Sequence, residues 1–334
     1  MLTTGVRMRT LRCESGDTTM GNGRSLIQRI LFATDFSTCA RCAEAYAAYL
    51  AEAYGATVDV VHALEIYGGI DVATVQDHRE TEAELAETVR RLQQFPYPVT
   101  SQQRAGIPDV YICEAAADHA DLIVMGTHGR TGLAHILLGS TAERVLTMAP
   151  CPVLTVREPK GSRGGCQPEP IRFERVAVPI DFSVCSLDAL EYGIQIAKDF
   201  DASLMLLHVL EPVSYAADLT FNHAAARHLE RVTSQLTSMA DNIRSHGISV
   251  REVIRGGLPT DSILEFVRTS DCDLVVMGTH GRRGISHLVR GSVAEAVLRR
   301  ASCPVLAMKR LHFAPAHQRV VPHANGVDSF GHLT

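Results

Sequence analysis

Short, unbroken apolar runs recur along the chain at strand length, separated by longer stretches whose apolar residues return every three or four positions. Leu122-Ile-Val-Met125, Leu204-Met-Leu-Leu207 and Leu274-Val-Val-Met277 are of the first kind. A run without polar alternation suits a strand covered on both faces, as in a parallel sheet between two helical layers. The pattern predicts strands at 30–33, 57–63, 99–104, 122–125 and 153–156, with helices near 39–54, 77–94, 108–117 and 140–149. Strands return at 175–179, 203–209, 249–254, 274–277 and 305–308, with helices again between them. Alternating β and α elements build an open doubly wound sheet. The expected class is α/β, as two tandem doubly wound, five-stranded parallel sheets with helices on both faces.

The two halves repeat each other in sequence as well as in pattern. Ile30-Leu-Phe-Ala-Thr-Asp35-Phe36-Ser37 returns as Val176-Ala-Val-Pro-Ile-Asp181-Phe182-Ser183, and His62-Ala63 as His208-Val209. Gly106-Ile-Pro108 returns as Gly257-Leu-Pro259, and Cys151-Pro-Val-Leu154 as Cys303-Pro-Val-Leu306. One module is expected over 26–157 and the other over 173–310. The stretch 158–172, rich in Pro, Gly and charge, reads as their linker. Residues 1–25 and 311–334 lack periodicity and read as flexible extensions.

Gly-Thr-His-Gly-Arg stands at 126–130 and again at 278–282, opening Gly126-x2-Gly129-x9-Gly139-Ser140 and Gly278-x2-Gly281-x9-Gly291-Ser292. Each copy joins a buried strand to a helix start. Bare backbone there can approach an anion, and the helix N-terminus adds partial positive charge. Ser140-x-x-Glu143 and Ser292-x-x-Glu295 read as capping boxes, a structural role worth about 1 kcal/mol per cap. That role leaves the glycines unaccounted for, whereas a backbone wrapped around phosphate accounts for all of them. The serine hydroxyls could donate to the same phosphate. Other phosphate motifs fit poorly: no Gly-x4-Gly-Lys-Ser/Thr occurs, and Asp-Phe-Ser rather than Gly-x-Gly-x-x-Gly follows the first strand.

Ligands on doubly wound sheets bind beyond the strand C-termini, where strand order reverses. Asp35 and Asp181 end their first strands there. Each could bond a base or ribose, hold a metal beside phosphate, or cap the following helix. Arg130, Arg282 and Arg283 could reach phosphate, or be ordinary exposed arginines. His128 and His280 lie inside the loops and read as orienting or solvated rather than catalytic. His312, His317, His323 and His332 lack metal-ligand spacing. Cys39-Ala-Arg-Cys42 has the form of a redox pair at a helix start, but the repeat retains only the first cysteine, as Cys185, so inert thiols are the expected reading.

Composition narrows the classes further. The 334 residues are 46% hydrophobic and 21% charged, ordinary values for a globular protein. Thirty-two Lys and Arg against 37 Asp and Glu give −5, which argues against nucleic acid or an anionic membrane surface as partner. No run approaches the ~20 apolar residues of a membrane span. The first 25 residues lack the apolar centre of a secretory signal, so the cytoplasm is the expected compartment. Nine cysteines follow no disulfide-framework spacing.

These residues together resemble the universal stress protein family, in its tandem-domain, ATP-binding form. The resemblance spans about 26–157 and 172–310, and its motifs occur twice in the same order. It implies strand order 3-2-1-4-5, with adenine near the first two strands and phosphates in the glycine loop. Carried over by position, the first site would comprise Ala33, Thr34, Asp35, Ala63, Met125, Gly126, Gly129, Gly139, Ser140 and Thr141. The second would comprise Pro179, Ile180, Asp181, Val209, Met277, Gly278, Gly281, Gly291, Ser292 and Val293. Ala33 and Ala63 are smaller than Pro179 and Val209, which would loosen the first adenine pocket and favour the second. The family's modules commonly pair through their last strands, and this chain could make that pair internally with 153–156 and 305–308. Two such chains could then associate as a homodimer.

The implied function is regulatory ATP binding in a stress response, with adenine nucleotide as ligand and an unidentified protein partner. No nucleophile or metal cluster is evident. Two alternatives stand beside it. One is slow ATP hydrolysis or self-phosphorylation, using Asp35 or Asp181 with Mg²⁺ or Mn²⁺ and Ser140 or Ser292 as acceptor. The other is a nucleotide-independent dimerisation scaffold in which the glycine loops are only turns.

Overall fold

The computed structural model describes residues 25–65, 75–129, 138–158, 170–212, 219–279, 291–309 and Val320. The first module runs β1 (Arg29–Ala33), α1 (Thr38–Tyr54), β2 (Thr57–Glu65), α2 (Val75–Leu92), β3 (Val99–Gly106), α3 (Pro108–His119), β4 (Leu122–Gly126), α4 (Ser140–Met148) and β5 (Val153–Val156). The second runs β6 (Arg175–Pro179), α5 (Val184–Asp199), β7 (Ser203–Leu210), α6 (Leu219–Ser245), β8 (Val250–Gly256), α7 (Pro259–Thr269), β9 (Leu274–Gly278), α8 (Ser292–Arg300) and β10 (Val305–Met308). The expected elements are all present. β2 and β3 extend two residues past their expected ends, which raises that edge of the sheet above β1.

The strands form one ten-stranded sheet in the order β3-β2-β1-β4-β5-β10-β9-β6-β7-β8. Each half therefore has the order 3-2-1-4-5, all parallel, and the halves meet where β5 and β10 pair antiparallel. Val305 faces Thr155, Leu306 faces Leu154 and Ala307 faces Val153 across that seam. The antiparallel join points the strand C-termini of the two modules towards opposite edges of the sheet. Their two crevices therefore open in opposite directions.

Successive strand residues feed opposite layers, which is why the runs are apolar throughout. Ile30 and Phe32 enter one core with Leu154, Val178, Val276 and Leu306. Leu31 and Ala33 enter the other with Ile123, Val153, Ala177, Val275 and Val305. Both cores run through the seam. An aromatic cluster reinforces it: Tyr49 lies 5.5 Å from Phe173 and 5.4 Å from Phe200, and the Tyr54 hydroxyl donates to Asp199 at 2.9 Å.

Local chemistry sets the element ends. Ser37 and Ser183 cap α1 and α5, each hydroxyl accepting a backbone N–H three residues on at 3.2 Å. Asp121 and Asp273 close the rim opposite the crevices. The Asp121 carboxylate accepts from the Gln28 and Arg29 amides at 2.8 and 3.0 Å, and Asp273 does the same for Glu174 and Arg175 at 2.9 and 2.8 Å. Within the C-terminal extension, the Val320 amide donates to the buried Glu191 carboxylate at 3.1 Å, so this residue is held against α5.

Candidate functional site

Each crevice is built where β1 or β6 stops beside β4 or β9. The Thr34 amide makes the last ladder bond, to the Val61 carbonyl at 3.0 Å, and Ile180 does so with Leu207 at 2.8 Å. The chain then turns through Asp35-Phe36-Ser37 and Asp181-Phe182-Ser183. Asp35 and Asp181 are half-buried. One oxygen of each closes the turn, accepting from the Ser37 amide at 3.1 Å and the Ser183 amide at 2.9 Å. The helix caps are the serines, so neither aspartate is the N-cap residue. The second Asp35 oxygen faces the glycine loop: a Cβ built on Gly129 would come within 2.7 Å of it.

The glycines divide by cause. Gly126 and Gly278 stand where the first turn of α1 or α5 crosses β4 or β9. An added Cβ would lie 3.1 Å from the Ala40 amide nitrogen in the first module, and 2.9 Å from the Cys185 carbonyl oxygen in the second. Packing therefore accounts for these two without any ligand. Gly139 and Gly291 return the chain to the sheet, their amides donating to the Thr127 and Thr279 carbonyls at 2.8 and 2.9 Å. Those amides are thus committed, and the expectation that the whole loop lends its backbone to an anion is too broad.

Gly139 and Gly291 are also the N-caps of α4 and α8, and as glycines they bring no capping side chain. Ser140 and Ser292 are therefore the first helical residues rather than caps, and the expected capping boxes do not form. A glycine at the N-cap supplies no acceptor. Helix geometry then leaves the first-turn amides, from Ser140 and Thr141 in one module and Ser292 and Val293 in the other, without intrahelical acceptors. Ser140 and Ser292 are exposed. What remains for an anion is a glycine-capped helix N-terminus carrying a hydroxyl, close to His128 in the first module. Gly281, Arg130, His280, Arg282, Arg283 and the four tail histidines lie outside the described residues.

The remaining site residues sort by face. Ala33 and Met125 belong to one buried cluster, with Ala63 packed against it; Met277 is in the same cluster, with Val209 and Val293 against it. These form an apolar wall on the α3/α4 and α7/α8 side. Pro179 is half-buried at the matching position. Ile180 instead packs in the opposite core, and the Thr34 hydroxyl is turned back to accept from the Phe36 amide at 3.0 Å.

Cys39 and Cys185 are free, buried thiols that donate to the Val156 and Met308 carbonyls at 3.2 and 3.3 Å. Cys39 thus forms no disulfide with Cys42. Sequence reasoning missed Arg157 and Lys309, the cations that follow β5 and β10. Burial lowers the pKa of both. Their only signal was that they match in register after the two repeated last strands.

A ligand fitting this geometry has an apolar flat part for the wall and an anionic part for the helix N-terminus. No group of three or more metal-ligating side chains exists among the described residues. A divalent ion here would have to be shared between Asp35 or Asp181 and a bound phosphate. Among the described residues, no helix is long and apolar enough to cross a membrane.

Fold and rim define a tandem doubly wound α/β protein with the same Asp-Phe-Ser turn at the end of the first strand of each module. The sequence matches the Universal stress protein family over residues 26–157 and 172–309, and the chain belongs to that family. It is 31% identical over 141 residues to a universal stress protein of Methanocaldococcus jannaschii, covering 41% of this chain and 83% of that protein. A universal stress protein of Synechocystis aligns over 315 residues at 23% identity, covering 85% of this chain and all of its own length (100%). Among solved structures, a universal stress protein of Archaeoglobus fulgidus superposes with TM-score 0.63 at 25% identity, covering 84% of this chain and 98% of its own.

Proposed function

We propose that the protein binds ATP in each of its two crevices and acts as a regulatory nucleotide-binding protein of the stress response, without rapid turnover. The observation that carries this reading is the glycine-capped start of both α4 and α8, together with the half-buried Asp35 that faces Gly129 in the first module. An N-terminal turn whose N-cap is glycine offers its amides and dipole to phosphate. The apolar wall of Ala33, Ala63 and Met125, or of Pro179, Val209 and Met277, suits the face of a purine. Asp35 turns its second oxygen towards Gly129, and a carboxylate at that place, repeated in sequence as Asp181, suits a ribose hydroxyl or Mg²⁺ or Mn²⁺ on the phosphates.

Occupancy would stabilise the folded chain by mass action, about 2.7 kcal/mol at a hundredfold excess over Kd. The melting midpoint should therefore rise by several degrees in millimolar Mg-ATP and not in equimolar inorganic phosphate. An unchanged midpoint at millimolar nucleotide would reject the reading.

A further inference from the structure

Two phenylalanines occupy a backbone region that bulky side chains avoid. Phe36 has φ 64° and Phe182 has φ 62°; the other described non-glycine residues with positive φ are Asp201 and Asp271. Aspartate tolerates the left-handed region through local hydrogen bonds, whereas for phenylalanine it is a true outlier. Such a conformation persists only where its surroundings over-determine it, and here it follows the site aspartate in both modules.

The surroundings are a buried histidine in each module. His62 and His208 are each 6% exposed. His62 Nδ1 lies 2.8 Å from the Thr34 carbonyl oxygen, and His208 Nδ1 lies 2.6 Å from that of Ile180. A carbonyl only accepts, so Nδ1 carries the proton in both. The same rings lie 4.4 Å from the Phe36 ring and 5.0 Å from the Phe182 ring, centroid to centroid. Each imidazole therefore grips the chain on both sides of the aspartate: the carbonyl just before it and the aromatic ring just after it. These contacts recur at equivalent positions of modules that differ in most other residues.

We propose that His62 and His208 are positioning residues of the two nucleotide sites. Each holds its Asp-Phe-Ser turn in the left-handed form, which keeps a carboxylate oxygen of Asp35 or Asp181 closing the turn and, in the first module, sets the other oxygen of Asp35 towards Gly129. The inference rests on the nucleotide reading above.

Asparagine places an amide N–H near the position of Nδ1, whereas glutamine places it one bond further, near Nε2. A purely space-filling histidine would be replaced better by the larger glutamine, the reverse of the order a donor at Nδ1 requires. The test is calorimetric titration of the full chain with Mg-ATP as wild type, His208→Asn and His208→Gln, with near-UV circular dichroism confirming folding. The expected result is second-site affinity within about threefold of wild type for His208→Asn and about tenfold weaker for His208→Gln, the first site being unchanged in both. Folded variants that both bind like wild type, or that weaken equally, would overturn the positioning role while leaving the nucleotide reading intact. If the glutamine chain fails to fold, His208→Leu, which has no donor, takes its place with the same outcomes. A wild-type chain that binds no ATP removes both.

Discussion

Substituting alanine for Gly278 separates packing from ligand binding at the first glycine of the loop. The added methyl would lie 2.7 Å from Cys185 Sγ and 2.9 Å from both the carbonyl carbon and the oxygen of Cys185. The thiol can swing aside. The backbone cannot, because it belongs to the first turn of α5, fixed by the Ser183 cap. The helix must therefore shift on β9, and overpacking of this kind costs about 1–3 kcal/mol. At Gly126 the nearest atoms of α1 are all at 3.1 Å, so the same substitution there should fall at the low end of that range. Gly278→Ala should cost about 2–3 kcal/mol and Gly126→Ala about 1 kcal/mol. Combining Gly278→Ala with Cys185→Ala removes only the sulfur contact and should recover less than half of the loss. Urea denaturation of the four chains gives the stabilities, with ATP titration run in parallel on each. Gly278→Ala with wild-type stability and no nucleotide binding would refute the packing argument and return this glycine to the ligand.

Gly129→Ala should behave in the opposite way: among the described residues its methyl would meet only the end of the Asp35 side chain and no backbone, so stability should change by less than about 0.5 kcal/mol while first-site ATP affinity falls. A destabilised Gly129→Ala chain would contradict this. Alkaline stability should depend on the seam tyrosines. Burial pushes the Tyr46 hydroxyl up to about 12, above its ordinary 10.0, so its contribution is complete below pH 10 and is lost as pH rises towards 12. Tyr46→Phe has nothing to ionise and should flatten the fall in melting midpoint across that window, by up to about 1.4 kcal/mol per pH unit; an unchanged slope would place Tyr46 in water.

The architecture was legible because both physical signals were strong. Continuous apolar runs marked strands covered on two faces, and the repeat allowed each uncertain segment to be read twice. The pairing of 153–156 with 305–308 followed from resemblance rather than pattern, since four apolar residues do not reveal which edge they pair with. The site was less legible. Ser140-x-x-Glu143 has the spelling of a capping box, but the helix starts one residue earlier than that spelling requires, with a glycine as cap. Spelling cannot register a one-residue shift that chain return to Thr127 imposes. The glycines looked alike in sequence, yet Gly126 answers to a crossing helix, Gly139 to a turn and Gly129 to a facing carboxylate. Only three-dimensional approach distances separate those causes. Thr34 sat beside Asp35 in sequence and was grouped with the site, but strand alternation sends its side chain to the other layer.

The central claim is that two glycine-capped helix starts at opposite edges of one sheet each receive the phosphates of an adenine nucleotide. Isothermal titration of the intact chain with Mg-ATP tests it most directly. Two binding events per chain are predicted, the second module's being the tighter because Pro179 and Val209 fill the wall more fully than Ala33 and Ala63. Absence of heat and of saturation at millimolar ATP would contradict the account.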